Sequence, residues 1–170
     1  MIRETTVAGR RLRYAEVGAG RPAILLHAFP LSHAMWKGQL EAPVPGWRFV
    51  APDLRGFGGS DRVAADAPLR APGARSMADY ASDVMALIDL LELERPVVAG
   101  VSMGGYVAFA LLPRLGPALA GLVLSDTRAE ADTDEARGNR RRMQDLVMDK
   151  GPAAIADEMV PRLLGETSRR

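Results

Sequence analysis

The residues of this chain with the clearest potential for chemistry lie at positions 100–105, in the order Gly100-Val101-Ser102-Met103-Gly104-Gly105. This G-x-S-x-G pattern stands directly between the apolar runs 96–101 and 103–112. A strand that turns sharply into a helix would place the Ser102 hydroxyl at the apex of the turn, where it can attack a carbonyl carbon. The flanking glycines lack the Cβ atoms that would collide across such a turn. The pattern therefore predicts that Ser102 is a nucleophile, rather than an incidental serine in a Gly-rich turn.

A nucleophilic serine also needs donors for the negative charge that develops on the attacked carbonyl oxygen. The helix after Ser102 offers N–H groups at its positive dipole end, and we predict the Met103 N–H as one donor. The second donor is expected from the loop after an earlier buried strand. The apolar run 22–26 precedes such a loop, and we predict the backbone N–H of Phe29 as that donor. The alternative is a loop that holds a structural histidine and proline.

Strand and helix patterns alternate around these residues. Residues 3–7 and 11–17 are predicted to form a β-hairpin with Gly9 in its turn. Continuous apolar runs, typical of buried parallel strands, lie at 22–26, 47–51, 96–101 and 122–124. Helices are predicted at 33–41, from a capping box at 76–79 onward, and at 103–112, where Pro113 should end the helix. The alternation predicts an α/β fold with a mostly parallel sheet and helices on both faces.

The chain becomes more polar after Asp126. Residues 132–135 supply an N-cap and acidic residues for the first turn of another helix, and Gly151-Pro152 would end that helix and start the next. We therefore expect an incomplete core at residues 1–126 and the start of a helical lid at 127–170. A basic cluster on the first lid helix could meet an anionic substrate, although a solvated helix face is the simpler interpretation. Its members are Arg137, Arg140, Arg141 and Arg142.

Three segments in this order, residues 26–30, 52–61 and 100–105, resemble the α/β-hydrolase family. Within that family the chain is similar to small bacterial esterases and enol-lactonases of the 3-oxoadipate enol-lactonase type. The resemblance covers essentially all 170 residues, with Ala28 standing where the family usually has glycine. It implies a serine hydrolase that acts on carboxylic ester or lactone bonds through an acyl-serine intermediate, without a metal or organic cofactor.

The resemblance also assigns roles to other residues. Asp53, Arg55 and Asp61 belong to a loop that is mainly architectural in the family. His27 is expected beside the site in a supporting role, and its use as the base would require a different geometry. His33 is expected to start a helix on the surface. Asp126, at the end of a strand, is a candidate for the triad acid or simply a cap for the next turn.

The triad order in this fold is serine, then acid, then histidine, yet the only histidines of the chain are His27 and His33, both before Ser102. We expect the acid and the base beyond residue 170, and hence a truncated chain. Strand 122–124 would then form an apolar open edge. The alternative is a non-catalytic remnant that binds a small molecule or a protein partner.

Composition excludes several other classes. A net charge of +1, from 22 basic and 21 acidic side chains, gives no electrostatic reason to expect nucleic acid as a partner. The absence of cysteine excludes disulfides and thiolate metal sites. No signal peptide and no apolar run long enough to span a bilayer is found. We therefore expect a cytoplasmic protein that acts on a small-molecule ester or lactone, without nucleic acid or membrane partners; its oligomeric state is open.

Overall fold

The computed structural model describes residues 1–61 and 76–168. The chain divides into two compact units, Met1–Ala129 and Glu130–Arg170. The first unit is built on a six-stranded sheet. In chain order, the strands are β1 (Ile2–Val7), β2 (Arg10–Gly18), β3 (Arg21–Leu26), β4 (Trp47–Pro52), β5 (Val97–Val101) and β6 (Gly121–Ser125).

The sheet has the order β1-β2-β4-β3-β5-β6. Strands β1 and β2 form the predicted antiparallel hairpin, whose turn residues Ala8 and Gly9 have φ values of 48° and 76°. Strand β2 also pairs antiparallel with β4, whereas the β3–β4, β3–β5 and β5–β6 pairs are parallel. The predicted α/β fold with a mostly parallel sheet is confirmed, and β6 forms one edge of the sheet within the described residues.

The helices are α1 (Lys37–Glu41), α2 (Met77–Leu90), α3 (Met103–Leu115), α4 (Asp134–Lys150) and α5 (Pro152–Leu163). Short 3₁₀ turns cover His33–Trp36, Gly116–Ala118 and Glu166–Ser168. The predicted capping box of α2 is confirmed, because Ser76 Oγ accepts the Asp79 N–H at 3.3 Å and the Asp79 carboxylate accepts the Ser76 N–H at 2.9 Å. These reciprocal bonds fix the start of α2.

The prediction that Pro113 ends α3 is wrong, since the helix continues to Leu115. A proline removes its own N–H bond and its ring crowds the carbonyl four residues earlier, but the last turn of a helix can accommodate both effects when packing holds that turn. Leu115 supplies this packing, being only 6% exposed.

The core lies on both faces of the sheet. Side chains alternate along a strand, so Ile24 and Leu26 of β3 face a cluster that also contains Leu87 of α2 and Leu111 of α3. Leu25 faces the other side, where a smaller cluster packs against residues from the turn before α1 and from α1 itself. Helices therefore cover both faces, as the alternating sequence pattern predicts.

The second unit contains α4 and α5. The predicted N-cap of α4 is confirmed, since Thr133 Oγ1 accepts the Ala136 N–H at 3.2 Å. Its arginines are largely engaged with carboxylates of the same unit, with Arg140 bound to Asp132 and Arg142 to Glu158. The assignment of this unit to a lid stays a prediction. Within residues 1–61 and 76–168, no helix is both long and apolar enough to cross a membrane.

We expect Leu87→Ala to lower the free energy of unfolding by about 2–5 kcal/mol, because Leu87 is fully buried between α2 and the sheet. Leu90→Ala is the matched control on the same helix, since Leu90 is 52% exposed and should change stability by less than about 0.5 kcal/mol. Urea unfolding of both variants measures the difference. Equal losses would contradict the packing described here.

Candidate active site

The backbone of Ser102 has an unusual conformation at the junction of β5 and α3. Its φ is 49° and its ψ is −109°, outside the regions that residues with a Cβ atom commonly occupy. Such a conformation costs about 1–3 kcal/mol and persists only where its surroundings impose it. The predicted sharp turn from strand to helix is therefore present at Ser102.

Gly104 brings this turn against the end of β3. A Cβ atom at Gly104 would lie 2.2 Å from the Leu26 carbonyl oxygen, a distance that no real contact allows. Leu26 also pairs in register with Gly100, so the carboxyl ends of β3 and β5 lie side by side. The absence of a side chain at Gly104 is therefore what permits the first turn of α3 to approach the loop that follows β3.

Both predicted oxyanion donors lie at this meeting point. Met103 is the first residue of α3, where a helix leaves its N–H without an intrahelical acceptor. Phe29 lies three residues after the end of β3 and is 44% exposed. In the described part of the chain, neither N–H donates to a protein acceptor. Two backbone donors are thus available beside Ser102, although their role stays a prediction.

His27 is held inside the protein as a structural residue. It is fully buried, its Nε2 accepts the Leu54 N–H at 3.0 Å, and its Nδ1 lies 3.0 Å from the Ala28 carbonyl oxygen. Because Nε2 must accept, the proton belongs on Nδ1. Burial lowers the pKa of His27 below its ordinary value, which keeps the ring neutral. The lone pair on Nε2 already accepts the Leu54 N–H, so this geometry disfavours His27 as the general base.

The expectation that His33 lies on the surface is wrong. His33 does begin a 3₁₀ turn, but its side chain is only 16% exposed because it bonds to Asp53, which is completely buried. The Asp53 carboxylate accepts from the His33 N–H and from His33 Nδ1, both at 2.7 Å, and from the Gly59 N–H at 2.8 Å. Asp53 therefore ties the loop after β4 to the turn after β3.

Arg55 and Asp61 also hold the loop after β4. The Arg55 guanidinium makes two bonds of 2.7 Å to the Asp83 carboxylate, and this pairing raises the pKa of Arg55 above its ordinary value. Asp61 accepts the Arg11 N–H at 2.9 Å. The sequence interpretation did not identify Asp83, although its position three residues after Tyr80 and four before Leu87 places it on the buried face of α2.

The chain after β6 reaches Ser102. The Ser102 N–H donates to the Ser125 carbonyl oxygen at 3.0 Å, and Thr127 Oγ1 donates to the Ser102 carbonyl oxygen at 3.0 Å. Asp126 lies between these two residues, is exposed and has a φ of 45°. Its assignment as the triad acid stays a prediction. The sequence interpretation did not identify Thr127, and no sequence pattern marks it.

The described residues hold no group of three or more His, Asp or Glu side chains that could bind a metal ion. The groups that the structure brings together around Ser102 are its hydroxyl and backbone amides. Such an arrangement suits attack on a carbonyl group and stabilisation of the resulting oxyanion.

Comparisons with known proteins agree with this architecture. Residues 22–157 match the family model of the alpha/beta hydrolase fold. The chain therefore belongs to the α/β-hydrolase family. It is 42% identical over 120 residues to the AB hydrolase superfamily protein YisY of Bacillus subtilis (strain 168). The aligned region covers 69% of this chain and 42% of that protein.

Two further relatives differ in the activity that their names record. The structure of a thermophilic esterase from Thermogutta terrifontis superposes on this chain with a TM-score of 0.84 and 40% identity. The superposition covers 100% of this chain and 61% of the esterase chain. The soluble epoxide hydrolase of Corynebacterium sp. (strain C12) is 34% identical over 106 residues, covering 62% of this chain and 34% of that protein. The chain thus spans less than two thirds of each of these relatives.

We expect Gly104→Ala to destabilise the first unit by more than about 2 kcal/mol, because its Cβ would collide with the Leu26 backbone and force β3 and α3 apart. Gly138→Ala is the control, since that helical glycine has open space around it and alanine is the better helix former. Thermal unfolding of both variants measures the effect. A Gly104→Ala protein as stable as Gly138→Ala would contradict the close approach.

We also expect His27 to make the free energy of unfolding depend on pH. Burial lowers its folded pKa, so the unfolded chain binds a proton more readily below about pH 6.5 and stability falls as the pH drops from there towards the folded pKa. The slope in this window is at most about 1.4 kcal/mol per pH unit. In His27→Gln, which retains an acceptor for the Leu54 N–H, the part of the slope that His27 contributes should disappear. Chemical unfolding at a series of pH values tests this, and an unchanged slope would refute it.

Proposed function

We propose that the protein containing this chain hydrolyses a carboxylic ester or lactone through an acyl-serine intermediate, with Ser102 as the nucleophile. The observation that carries the proposal is the positive φ of Ser102 at the β5–α3 junction. At the same edge of the sheet lie the N–H groups of Met103 and Phe29, which donate to no acceptor among residues 1–61 and 76–168. A strained serine next to two backbone donors fits carbonyl attack.

The reaction then proceeds by two acyl transfers. Ser102 Oγ adds to the carbonyl carbon while its proton passes to a general base, and the carbonyl oxygen becomes an oxyanion held by the Phe29 and Met103 N–H groups. The oxyanion collapses, the bond to the leaving alkoxide breaks, and the base returns the proton to that oxygen. Water next attacks the acyl-serine in the same way and releases the carboxylic acid and free Ser102.

The general base and its acidic partner are also matters of proposal. The chain has no histidine after Ser102, and His27 is committed to Leu54. A serine hydroxyl without a base is a weak nucleophile at neutral pH. We propose that a histidine outside these 170 residues, with an acid that is either Asp126 or another carboxylate, activates Ser102.

The nucleophile favours acyl chemistry over ring opening of an epoxide. A serine hydroxyl that displaced oxygen at a saturated carbon would form an ether, which has no carbonyl group for water to attack. An acyl-serine is an ester, which the same donors can help to hydrolyse. The serine at position 102 therefore supports an esterase or lactonase, even though an epoxide hydrolase is among the relatives.

We expect Ser102→Ala to abolish hydrolysis of a p-nitrophenyl ester by the full protein, with a fall in kcat of about 10³-fold or more. Ser82→Ala is the matched control, because Ser82 is exposed on α2 and bonds to Ala78 and Arg114 rather than to the site. Its kcat should equal that of the unmodified protein.

Mass spectrometry of the protein quenched during turnover provides the second measurement. The acyl group should be found on Ser102 and should be absent from Ser102→Ala. Unchanged turnover in Ser102→Ala would overturn the proposal. A full protein that hydrolyses no ester and no lactone would instead favour the non-catalytic alternative.

A further inference from the structure

Thr127 makes a contact with the nucleophile that none of the proposed catalytic roles uses. It lies two residues beyond β6, its side chain is half-buried, and its Oγ1 donates to the Ser102 carbonyl oxygen at 3.0 Å. The Ser102 carbonyl also accepts the Gly105 N–H at 2.9 Å and the Tyr106 N–H at 3.3 Å, both from the first turn of α3. The side chain of Thr127 therefore adds a donor to this carbonyl from outside the helix.

Gly105 packs directly against the Thr127 side chain. A Cβ atom at Gly105 would lie 2.5 Å from Thr127 Oγ1 and 2.7 Å from Thr127 Cβ. The Thr127 side chain thus occupies the space that a side chain at position 105 would need. The packing of Thr127 therefore accounts for a glycine at position 105.

The segment 125–127 holds both backbone polar groups of Ser102. The Ser125 carbonyl accepts the Ser102 N–H at 3.0 Å, while Thr127 Oγ1 binds the Ser102 carbonyl. These groups belong to the peptide planes on either side of the Ser102 Cα, and the orientations of those planes are what φ and ψ describe. Two hydrogen bonds from one short segment therefore brace the strained conformation of Ser102.

The same bond also orients a proposed oxyanion donor. The Ser102 carbonyl and the Met103 N–H are parts of one planar peptide unit and point in opposite directions. A donor that fixes the carbonyl on one side therefore fixes the N–H on the other. A hydrogen bond accepted by a peptide carbonyl also polarises its N–H and makes it a stronger donor.

We propose that Thr127 is a positioning residue for the acyl-transfer reaction, which holds the Ser102–Met103 peptide so that its N–H faces the developing oxyanion. The inference rests on the proposed function, because it requires Ser102 to be the nucleophile. Thr127 itself touches neither the substrate nor the reacting atoms. Its contribution is greatest where charge develops on the carbonyl oxygen, so it affects the rate more than ground-state binding.

The test compares substitutions of Thr127 in the full protein, with p-nitrophenyl acetate as the substrate. Thr127→Val removes the hydroxyl and keeps the shape, and we expect kcat to fall about three- to tenfold, as for loss of one hydrogen bond, with KM within about twofold. Thr127→Ser restores the hydroxyl and should restore kcat to within about twofold of the unmodified protein. Thr6→Val, on the exposed side of β1, is the matched control and should leave kcat unchanged.

The outcomes separate this inference from the proposed function. If Ser102→Ala is inactive but Thr127→Val has an unchanged kcat, the positioning role is overturned and the nucleophile stands. A fall in kcat that Thr127→Ser does not reverse also overturns it, because the hydroxyl would not be the cause. If Ser102→Ala remains active, the proposed function itself fails. Should Thr127→Val not fold, Thr127→Ala removes the same hydroxyl and is judged by the same two outcomes.

Discussion

The positive φ of Ser102 is the constraint on which the candidate site depends, since it turns β5 into α3 at the point where the serine is presented. This conformation is unfavourable for an isolated residue and requires support from several directions. Support comes from the packing of Gly104 against β3 and from the hydrogen bonds that Ser125 and Thr127 make to the Ser102 peptide groups. The conformation of Ser102 therefore depends on the assembly of the sheet around it.

The loops around Ser102 are fixed by buried polar groups. His27 binds the Leu54 amide, and Asp53 binds both His33 and the Gly59 amide, so the chain after β3 and the chain after β4 hold each other. Buried polar groups are costly unless they are paired, and here each is paired with a group from another segment. The loop that carries Phe29, a proposed oxyanion donor, is thus held by this network.

The order of the sheet determines which residues can cooperate. Strand β5 lies between β3 and β6, and all three run parallel, so their carboxyl ends lie at one edge. Loops from that edge provide Phe29, Ser102, Asp126 and Thr127. Ligands of open α/β sheets bind outside the carboxyl ends of the strands, which is where these residues lie. The Arg55–Asp83 ion pair joins the loop after β4 to α2.

The sequence by itself was sufficient for the nucleophile turn, the hairpin, the parallel strands and the capped start of α2, because these features depend on local patterns of glycine, apolar and capping residues. It misplaced the end of α3 and the exposure of His33, since packing of Leu115 and pairing with Asp53 are contacts between distant segments. Asp83 and Thr127 were missed for the same reason. Only the tertiary structure brings Thr127 within 3.0 Å of the Ser102 carbonyl, because this contact requires β6 to lie beside β5.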